Sequence, residues 1–131
     1  MPHKIEEQGI QVLTDFLKKR GRHVERIKKT FDIRVDGKLA EVKTTRQKIE
    51  KLGFVGFTKN QFEAGQKGEE FDVYFVSSLS EDRPGIFKMT SRELLEIEPT
   101  IITHYEYPGN SLRKRMEVLI PESSQGDTLN Q

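Results

Sequence analysis

The chain has 131 residues, a length typical of one domain, and its formal net charge is only +1. It contains no cysteine, which excludes disulfide bonds and thiolate catalysis and is typical of a reducing cytoplasm. No stretch approaches the roughly 20 apolar residues of a membrane span, so we expect a cytoplasmic protein with no membrane contact. Because the net charge is near zero, any binding of nucleic acid must depend on local clusters of basic residues.

The predicted elements mix helices and strands along the whole chain. Ile10, Leu13 and Leu17 recur at helical spacing, and Thr58 with Gln61 matches the capping box that begins a helix. In chain order we predict helix 3–20, strands 28–35 and 39–45, loop 46–53, helix 59–66, strands 71–79 and 86–90, helix 92–97 capped by Ser91, and edge strands 101–107 and 116–120. The strand 71–79 is apolar almost throughout, which is typical of a central strand covered on both faces.

The dipeptide Asp36-Gly37 is a strong signal for a two-residue β-hairpin, because a type I′ turn needs positive φ at both positions. Such a turn sets the register of the two strands and places Asp32 opposite Glu41. Side chains alternate between faces along a strand, so the hairpin should have one apolar and one charged face. The apolar face would carry Phe31, Ile33, Val35, Ala40 and Val42, and the charged face would carry Asp32, Glu41 and Lys43.

The charged face of this hairpin predicts a metal site. Two acidic residues that are directly paired on neighbouring strands have Cβ atoms about 5 Å apart, and their carboxylates repel each other. A divalent cation between Asp32 and Glu41 would change this repulsion into attraction. Lys43, on the same face, could contact a water or a phosphate oxygen at the metal and stabilise negative charge there. The alternative is that the three residues form an ordinary surface cluster of salt bridges, which contributes little to stability.

The order Asp32, Glu41, Lys43, with the run EVKTT that contains the last two, resembles the PD-(D/E)XK nuclease superfamily in its restriction-endonuclease-like and Holliday-resolvase-like forms. The resemblance covers residues 3–78. It implies an α/β fold of the α+β kind, with a mixed central sheet flanked by helices. Its core follows the order helix, β-hairpin, helix, strand. In that core the helix after the Glu-x-Lys strand crosses over to a parallel strand. The sequence departs from the motif in that Phe31 stands in place of the proline, which many members also lack, and in the short loop between the two carboxylates.

The resemblance also implies a set of site residues. Mg²⁺ or Mn²⁺ would be held by Asp32, Glu41 and the backbone carbonyl of Val42, and Lys43 would act on the water and the phosphate. Oxygen ligands of this kind suit both metals.

Two further positions are matched through the helices of the family. Members often carry a polar residue on the crossover helix, which corresponds to Gln61, and a glutamate on the first helix that helps to bind the metal, which corresponds to Glu7. Glu6 remains an alternative to Glu7. Each position also has a purely structural explanation, because Gln61 completes a capping box and a carboxylate in a first helical turn complements the helix dipole.

Basic residues are concentrated just before the hairpin. Seven of the twelve residues from Lys18 to Lys29 are Lys or Arg, and Glu25 is the single acid among them. We predict that these residues and a second basic stretch, 46–51, flank the site as a groove for phosphates, although a solvated surface would have the same composition. The predicted nucleic-acid-binding residues are Arg22, Arg26, Lys28, Lys29, Arg46 and Lys48.

These observations predict a nuclease that depends on Mg²⁺ or Mn²⁺ and hydrolyses phosphodiester bonds of nucleic acid, in particular DNA. The first alternative is a nuclease-fold domain that binds nucleic acid or a protein partner without cutting, and the second is a small assembly or regulatory protein with a polar hairpin face. Cleavage of both strands of a duplex usually requires two sites, which makes a homodimer possible. We expect one domain over 1–120 and a polar, disordered tail over 121–131.

Overall fold

A computed structural model of the chain describes residues 2–79, 81–101 and 105–122. The helices are α1 (Pro2–Lys19), α2 (Lys59–Gln66), α3 (Ser91–Leu95) and α4 (Gly109–Arg113), and a short 3-10 helix spans Ile49–Lys51. The strands are β1 (Val24–Arg26), β2 (Ile33–Val35), β3 (Lys38–Thr44), β4 (Val55–Phe57), β5 (Asp72–Ser77), β6 (Gly85–Thr90), β7 (Thr100–Ile101), β8 (Tyr105–Tyr107) and β9 (Glu117–Ile120). Among the described residues, no helix is both long enough and apolar enough to cross a membrane.

The strands form two sheets. The larger has six strands in the order β1-β2-β3-β5-β6-β9, and the smaller has three in the order β4-β8-β7. In the six-stranded sheet β3 and β5 run parallel, and every other neighbouring pair is antiparallel. The connection between the two parallel strands contains α2. The protein is therefore a mixed α+β protein with a mixed central sheet and several helices.

Both faces of the central sheet are covered. On one face Ile10, Leu13 and Leu17 of α1 pack on a cluster that includes Val42 and Tyr74. The other face is covered by α2, α3, α4 and the smaller sheet, in a second apolar cluster whose buried aromatic residues include Phe31, Phe57, Phe71, Phe75 and Tyr107. The six residues of β5 are all buried, which confirms the prediction of a central strand.

Helix α1 lies unusually close to β3 at one point. A Cβ atom added at Gly9 would lie 1.9 Å from the Oγ1 of Thr44, so only glycine permits this approach. The close contact fixes the first turns of α1, which carry Glu6 and Glu7, against the strand that carries Glu41.

The hairpin prediction is confirmed in its turn and its register. Asp36 and Gly37 have φ values of 50° and 85°, as a type I′ turn requires. Ile33 pairs with Ala40 and Val35 with Lys38, which is the predicted register. The first helix and the capping box of Thr58 with Gln61 are also confirmed.

The predicted strand 28–35 is wrong over most of its length, because β2 begins only at residue 33 and β1 is a separate strand. Thr30 has a φ of 67°, and the N–H of Phe31 donates to the Lys29 carbonyl at 2.7 Å. This turn interrupts the alternation of side chains. Phe31 therefore packs on Phe71, with ring centroids 4.7 Å apart, and belongs to the cluster opposite Ile33, contrary to the prediction.

Smaller differences occur towards the C-terminus. Thr90, not Ser91, is the N-cap of α3, because its Oγ1 accepts from the N–H of Glu93 at 3.2 Å in a capping box. The predicted strand 101–107 includes residues 102–104, which lie outside the described residues, and its remaining part belongs to the smaller sheet. Strand β9 is an edge strand of the larger sheet, as predicted.

The last described residue, Glu122, is fully buried although it falls within the predicted tail. Its Oε2 accepts hydrogen bonds from the Ile49 N–H at 2.7 Å and from the hydroxyls of Ser77 and Ser78, both at 2.6 Å. This carboxylate joins the C-terminal end to β5 and to the 3-10 helix. Residues 123–131 of the expected tail lie outside the described residues.

Candidate active site

A cavity of about 520 Å³ opens between the first turns of α1 and the segment that precedes β4. Four carboxylates and one lysine of the predicted site line it, namely Glu6, Glu7, Asp32, Glu41 and Lys43. The two elements that supply most of these groups, α1 and β3, are held together by the close approach at Gly9. The structure therefore brings the predicted acidic residues and the predicted lysine to one place.

Glu41 and Lys43 project from the face of β3 that points away from α1. They pair in register with Val73 and Phe75 of β5, whose side chains belong to the apolar cluster on that face. Glu41 is only 7% exposed, and its Oε2 lies 3.2 Å from the Nζ of Lys43. The same ammonium group lies 4.7 Å from the ring centre of Phe57, so a carboxylate and an aromatic ring together hold it at the cavity.

The environment of Glu41 disfavours its ionised form. Burial is the largest cause and raises the pKa of Glu41 to about 7, against the opposing effect of Lys43. The charge of Asp32 raises the pKa further, whereas hydrogen bonding from Lys43 and Gln61 lowers it. Among the described residues, no donor in hydrogen-bonding geometry reaches the buried Oε1 of Glu41. A further cation beside this carboxylate would therefore be favoured.

Asp32 lies one residue outside the β2–β3 ladder, so it does not pair with Glu41 in the way the hairpin predicted. Its N–H donates to the Ala40 carbonyl at 3.2 Å, and its Oδ2 accepts from the N–H of Val42 at 2.9 Å. The N–H and C=O of a strand residue point towards the same neighbour, so the Val42 carbonyl is directed to the side on which Asp32 lies. Asp32 and Glu41 still line the same cavity, because the carboxylate of Asp32 turns across the end of the ladder.

Arg26 lies inside the acidic cluster. Its Nη2 is 2.6 Å from the Oε2 of Glu7, and its Nη1 is 3.9 Å from the Oδ1 of Asp32. The guanidinium therefore bridges two of the carboxylates that the sequence assigned to a metal. This residue was predicted to bind nucleic acid, and in the present arrangement it neutralises the site.

Gln61 is buried at 3% exposure and has structural partners. Its Oε1 accepts from the Thr58 N–H at 3.1 Å, and its Nε2 donates to the Thr30 carbonyl at 2.6 Å. The second contact holds the loop that leads to Asp32. Hydrogen bonding by Gln61 also lowers the pKa of Glu41. Gln61 therefore supports the loop that carries Asp32 and acts on the carboxylate of Glu41.

Apart from Arg26, the predicted basic residues are divided among three regions. Lys28 and Lys29 line an adjoining cavity of about 580 Å³ on the α2 side of the site, and Lys28 also lines the space that connects this cavity to Asp32 and Glu41. Arg22 forms an ion pair with Asp36 at the hairpin turn, and none of the cavities around the carboxylates includes it. Arg46 and Lys48 are exposed in the segment just before the 3-10 helix.

The sequence indicated only part of the other wall of the cavity, namely the basic stretch 46–51, which ends at Lys51. Lys51, Leu52, Gly53, Phe54 and Val55 form that wall. Phe54 is 61% exposed, which is unusual for an aromatic residue. The sequence signal for this part of the wall is a phenylalanine in a loop that contains lysines. Its relevance depends on the fold, which brings that loop opposite α1.

The donor atoms suit a hard divalent cation. Mg²⁺ keeps several waters and is commonly bound through one or two carboxylates, a requirement that Asp32, Glu41 and the Val42 carbonyl meet. In the described part of the chain, no three His, Cys, Asp or Glu side chains are grouped closely enough to hold a metal ion as they stand. Arg26 lies beside two of the acids instead, so its guanidinium competes with a metal ion for Glu7 and Asp32.

Comparisons with known proteins supply no further assignment. No protein-family model, no curated protein and no solved structure matches this chain. The interpretation of the site therefore depends on its own geometry and on the sequence motif that it contains.

Proposed function

We propose that the protein is a divalent-metal-dependent nuclease that hydrolyses phosphodiester bonds of DNA and has a restriction-endonuclease-like core. The observation that carries this proposal is the position of Glu41. It is a buried carboxylate with a pKa raised to about 7, it is paired with Lys43, and it lines one cavity with Asp32. A perturbed carboxylate with a charge partner in a cleft is a mark of a functional site.

The order of the elements supports the proposed core. Helix α1 precedes the antiparallel strands β1, β2 and β3, and α2 then leads to β5, which runs parallel to β3. This is the order and the crossover that the resemblance implies. The Glu-x-Lys motif lies on β3, the strand to which the resemblance assigns it.

The proposed residue roles follow from charge and position. When bound, Mg²⁺ or Mn²⁺ would act as a Lewis acid and make water a better nucleophile. Asp32, Glu41 and the Val42 carbonyl would hold the ion. The ammonium of Lys43 would donate hydrogen bonds to a phosphate oxygen or to the attacking water, and it would stabilise the negative charge that develops during hydrolysis.

The surfaces beside the cavity support a polyanionic substrate. The adjoining cavity on the α2 side carries Lys28, Lys29, Arg34 and Lys67, with Glu63 and Glu69 as its acids. A strand of nucleic acid could therefore extend from the carboxylates along the loop that precedes β2. Contacts of this kind position the backbone of the nucleic acid without reading its sequence.

One observation favours the alternative of a domain that binds nucleic acid or a protein partner without cutting. Arg26 satisfies Glu7 at 2.6 Å and lies beside Asp32, so the acidic cluster is partly neutralised without any metal. If Arg26 remains there during binding, the site cannot hold a second cation at Asp32.

Metal-dependent cleavage tests the proposal directly. Wild-type protein should convert supercoiled plasmid, or labelled single-stranded or branched DNA, to shorter or nicked products in Mg²⁺ or Mn²⁺, but not in EDTA. Lys43→Ala and Glu41→Gln should each lose this activity, whereas Lys59→Ala, at an exposed lysine that lines none of the cavities around the carboxylates, should keep it. Binding of DNA without any metal-dependent product would support the non-cutting alternative.

A further inference from the structure

Phe54 lines the cavity and is nevertheless 61% exposed. Single exposed apolar residues are ordinary on protein surfaces, so exposure is informative here only together with position. The described residues contain two other large exposed hydrophobic side chains, Leu95 and Val118, and neither lines any of the cavities around the carboxylates. Phe54 alone of the three lies in the same cavity as Glu41 and Lys43.

The backbone around Phe54 explains why its ring points outwards. Val55 and Phe57 of β4 are buried on the core side, and strand residues alternate between faces. Phe54 precedes β4 and therefore belongs to its outer face. Because β4 pairs with β8 through Val55 and Tyr107, the direction of this ring is set by the register of the smaller sheet.

The segment that presents the ring is held at several points. Arg113 donates to the Glu50 carbonyl at 2.6 Å, and the Ile49 N–H donates to the buried carboxylate of Glu122 at 2.7 Å. At Gly109, an added Cβ would lie 1.8 Å from the Leu52 carbonyl oxygen, so α4 packs directly on this backbone. An aromatic ring on a supported segment loses little conformational entropy when it binds a ligand.

The charges beside Phe54 identify the chemistry of the ligand. Lys51 lines the same cavity, and the exposed residues Arg46 and Lys48 precede it in the same segment. A basic surface combined with an accessible aromatic ring is the combination that binds single-stranded nucleic acid, in which phosphates meet cations and a base stacks on the ring. Bases within an intact duplex are already stacked on each other and are not available for such a contact.

From these observations we propose that Phe54 is a base-stacking residue, which makes the site select nucleic acid with an unpaired base next to the phosphate in the cavity. This inference rests on the proposed function and adds the form of its substrate. Single strands, frayed ends and unpaired nucleotides at branches all supply such a base.

Equilibrium binding in Ca²⁺, used as a non-cleaving metal, tests the inference without any measurement of activity. The probes are a labelled single strand and the duplex of the same sequence at one salt concentration. Phe54→Ala should weaken binding of the single strand about tenfold and leave binding of the duplex nearly unchanged. Phe54→Trp should bind the single strand as tightly as wild-type protein does. Val118→Ala, at a site that is 55% exposed, is the matched control and should change neither affinity. The thermal stability of each variant shows that it is folded.

A second readout reports stacking itself. A single strand that contains 2-aminopurine should lose fluorescence when wild-type protein or Phe54→Trp binds it, and should keep most of its fluorescence with Phe54→Ala. If wild-type protein binds nucleic acid but Phe54→Ala affects single strand and duplex equally, or not at all, the stacking inference is overturned and the proposed function stands. If wild-type protein binds neither probe and cuts no substrate, both are overturned.

Discussion

Glu41 and Glu122 are both buried, but their carboxylates are held in different ways. Oε2 of Glu122 accepts three hydrogen bonds, from one backbone N–H and two serine hydroxyls, whereas Oε2 of Glu41 has the ammonium of Lys43 at 3.2 Å. In the described residues both glutamates have an Oε1 without a hydrogen-bond partner, so an unpartnered oxygen does not by itself mark a metal site. The difference lies in the neighbours: Glu41 lines a cavity together with other carboxylates, whereas Glu122 lines none of the cavities around them and has three donors at its Oε2.

This comparison distinguishes a carboxylate with a structural role from the one that we propose to be functional. At Glu122, one backbone N–H and two serine hydroxyls donate to the carboxylate and join the C-terminal end to β5 and the 3-10 helix. At Glu41 the folded protein makes ionisation of the carboxyl group less favourable than it is in water. Burial and the charge of Asp32 raise the pKa by more than Lys43 lowers it. Such groups are concentrated at functional sites, and the cation that we propose to bind there would compensate for the charge of Glu41.

The largest effect is expected from removal of the structural carboxylate. Glu122→Ala should lower the free energy of unfolding by about 4 kcal/mol, because it leaves three buried donors unsatisfied and creates a cavity. Denaturation in urea measures this effect, and Glu98→Ala, at an exposed glutamate, is the control. A loss below about 1 kcal/mol would show that the three hydrogen bonds do not hold the C-terminal end.

Removal of the charge at Glu41 should instead raise the free energy of unfolding. Because its folded-state pKa is raised from 4.5 to about 7, the unfolded chain ionises first and stability falls as the pH rises through that interval. Without metal, Glu41→Gln should therefore be more stable than wild type at pH values above about 7, by an amount on the order of 3 kcal/mol, and equally stable near pH 4. Thermal unfolding in EDTA over this pH range is the measurement. A variant that is less stable than wild type at high pH would show that the carboxylate is structural.

Arg26 offers a sharper test of the acidic cluster. Its guanidinium contacts Glu7 and lies near Asp32, so it competes with a cation for those acids. Arg26→Gln should raise the affinity for Mn²⁺ about three- to tenfold, since it removes a like charge from the site. Arg22→Gln, which breaks an ion pair with Asp36 at the hairpin turn, should leave that affinity unchanged. Equal effects of the two variants would mean that Arg26 acts only through the overall charge of the protein.

The smallest effect concerns the basic cavity on the α2 side. Alanine at both Lys28 and Lys29 should weaken binding of all DNA sequences alike, and it should reduce the salt dependence of binding by about one unit of slope for each phosphate that the variant no longer binds. Alanine at Lys18 and Lys19, which belong to the same basic stretch but line none of the cavities around the carboxylates, is the control. An equal change of slope in both double variants would place the DNA elsewhere.

Local chemistry explains which features the sequence could predict. The Asp36-Gly37 turn, the capping box at Thr58 and the stripe of Ile10, Leu13 and Leu17 are short-range signals, and each appears in the structure as predicted. The shared face of Glu41 and Lys43 follows from strand alternation once the hairpin register is known.

The remaining features depend on contacts between distant parts of the chain. The positive φ of Thr30 turns Phe31 to the opposite core, and a β-rich composition cannot reveal one such residue. Glu122 is buried by partners 44 to 73 residues away, so it looks like part of a polar tail in the sequence. The exposure of Phe54 depends on the smaller sheet, whose strands are only two or three residues long.

The most direct test of the central claim is a titration of wild-type protein and Glu41→Gln with Mn²⁺ above pH 7, followed by calorimetry or by the signal of free Mn²⁺. We predict that wild-type protein binds the ion and gains thermal stability from it, and that Glu41→Gln, although folded and more stable in EDTA, does neither. Absence of Mn²⁺ binding by wild-type protein, or equal binding by the two proteins, would contradict the assignment of Glu41 as a metal ligand.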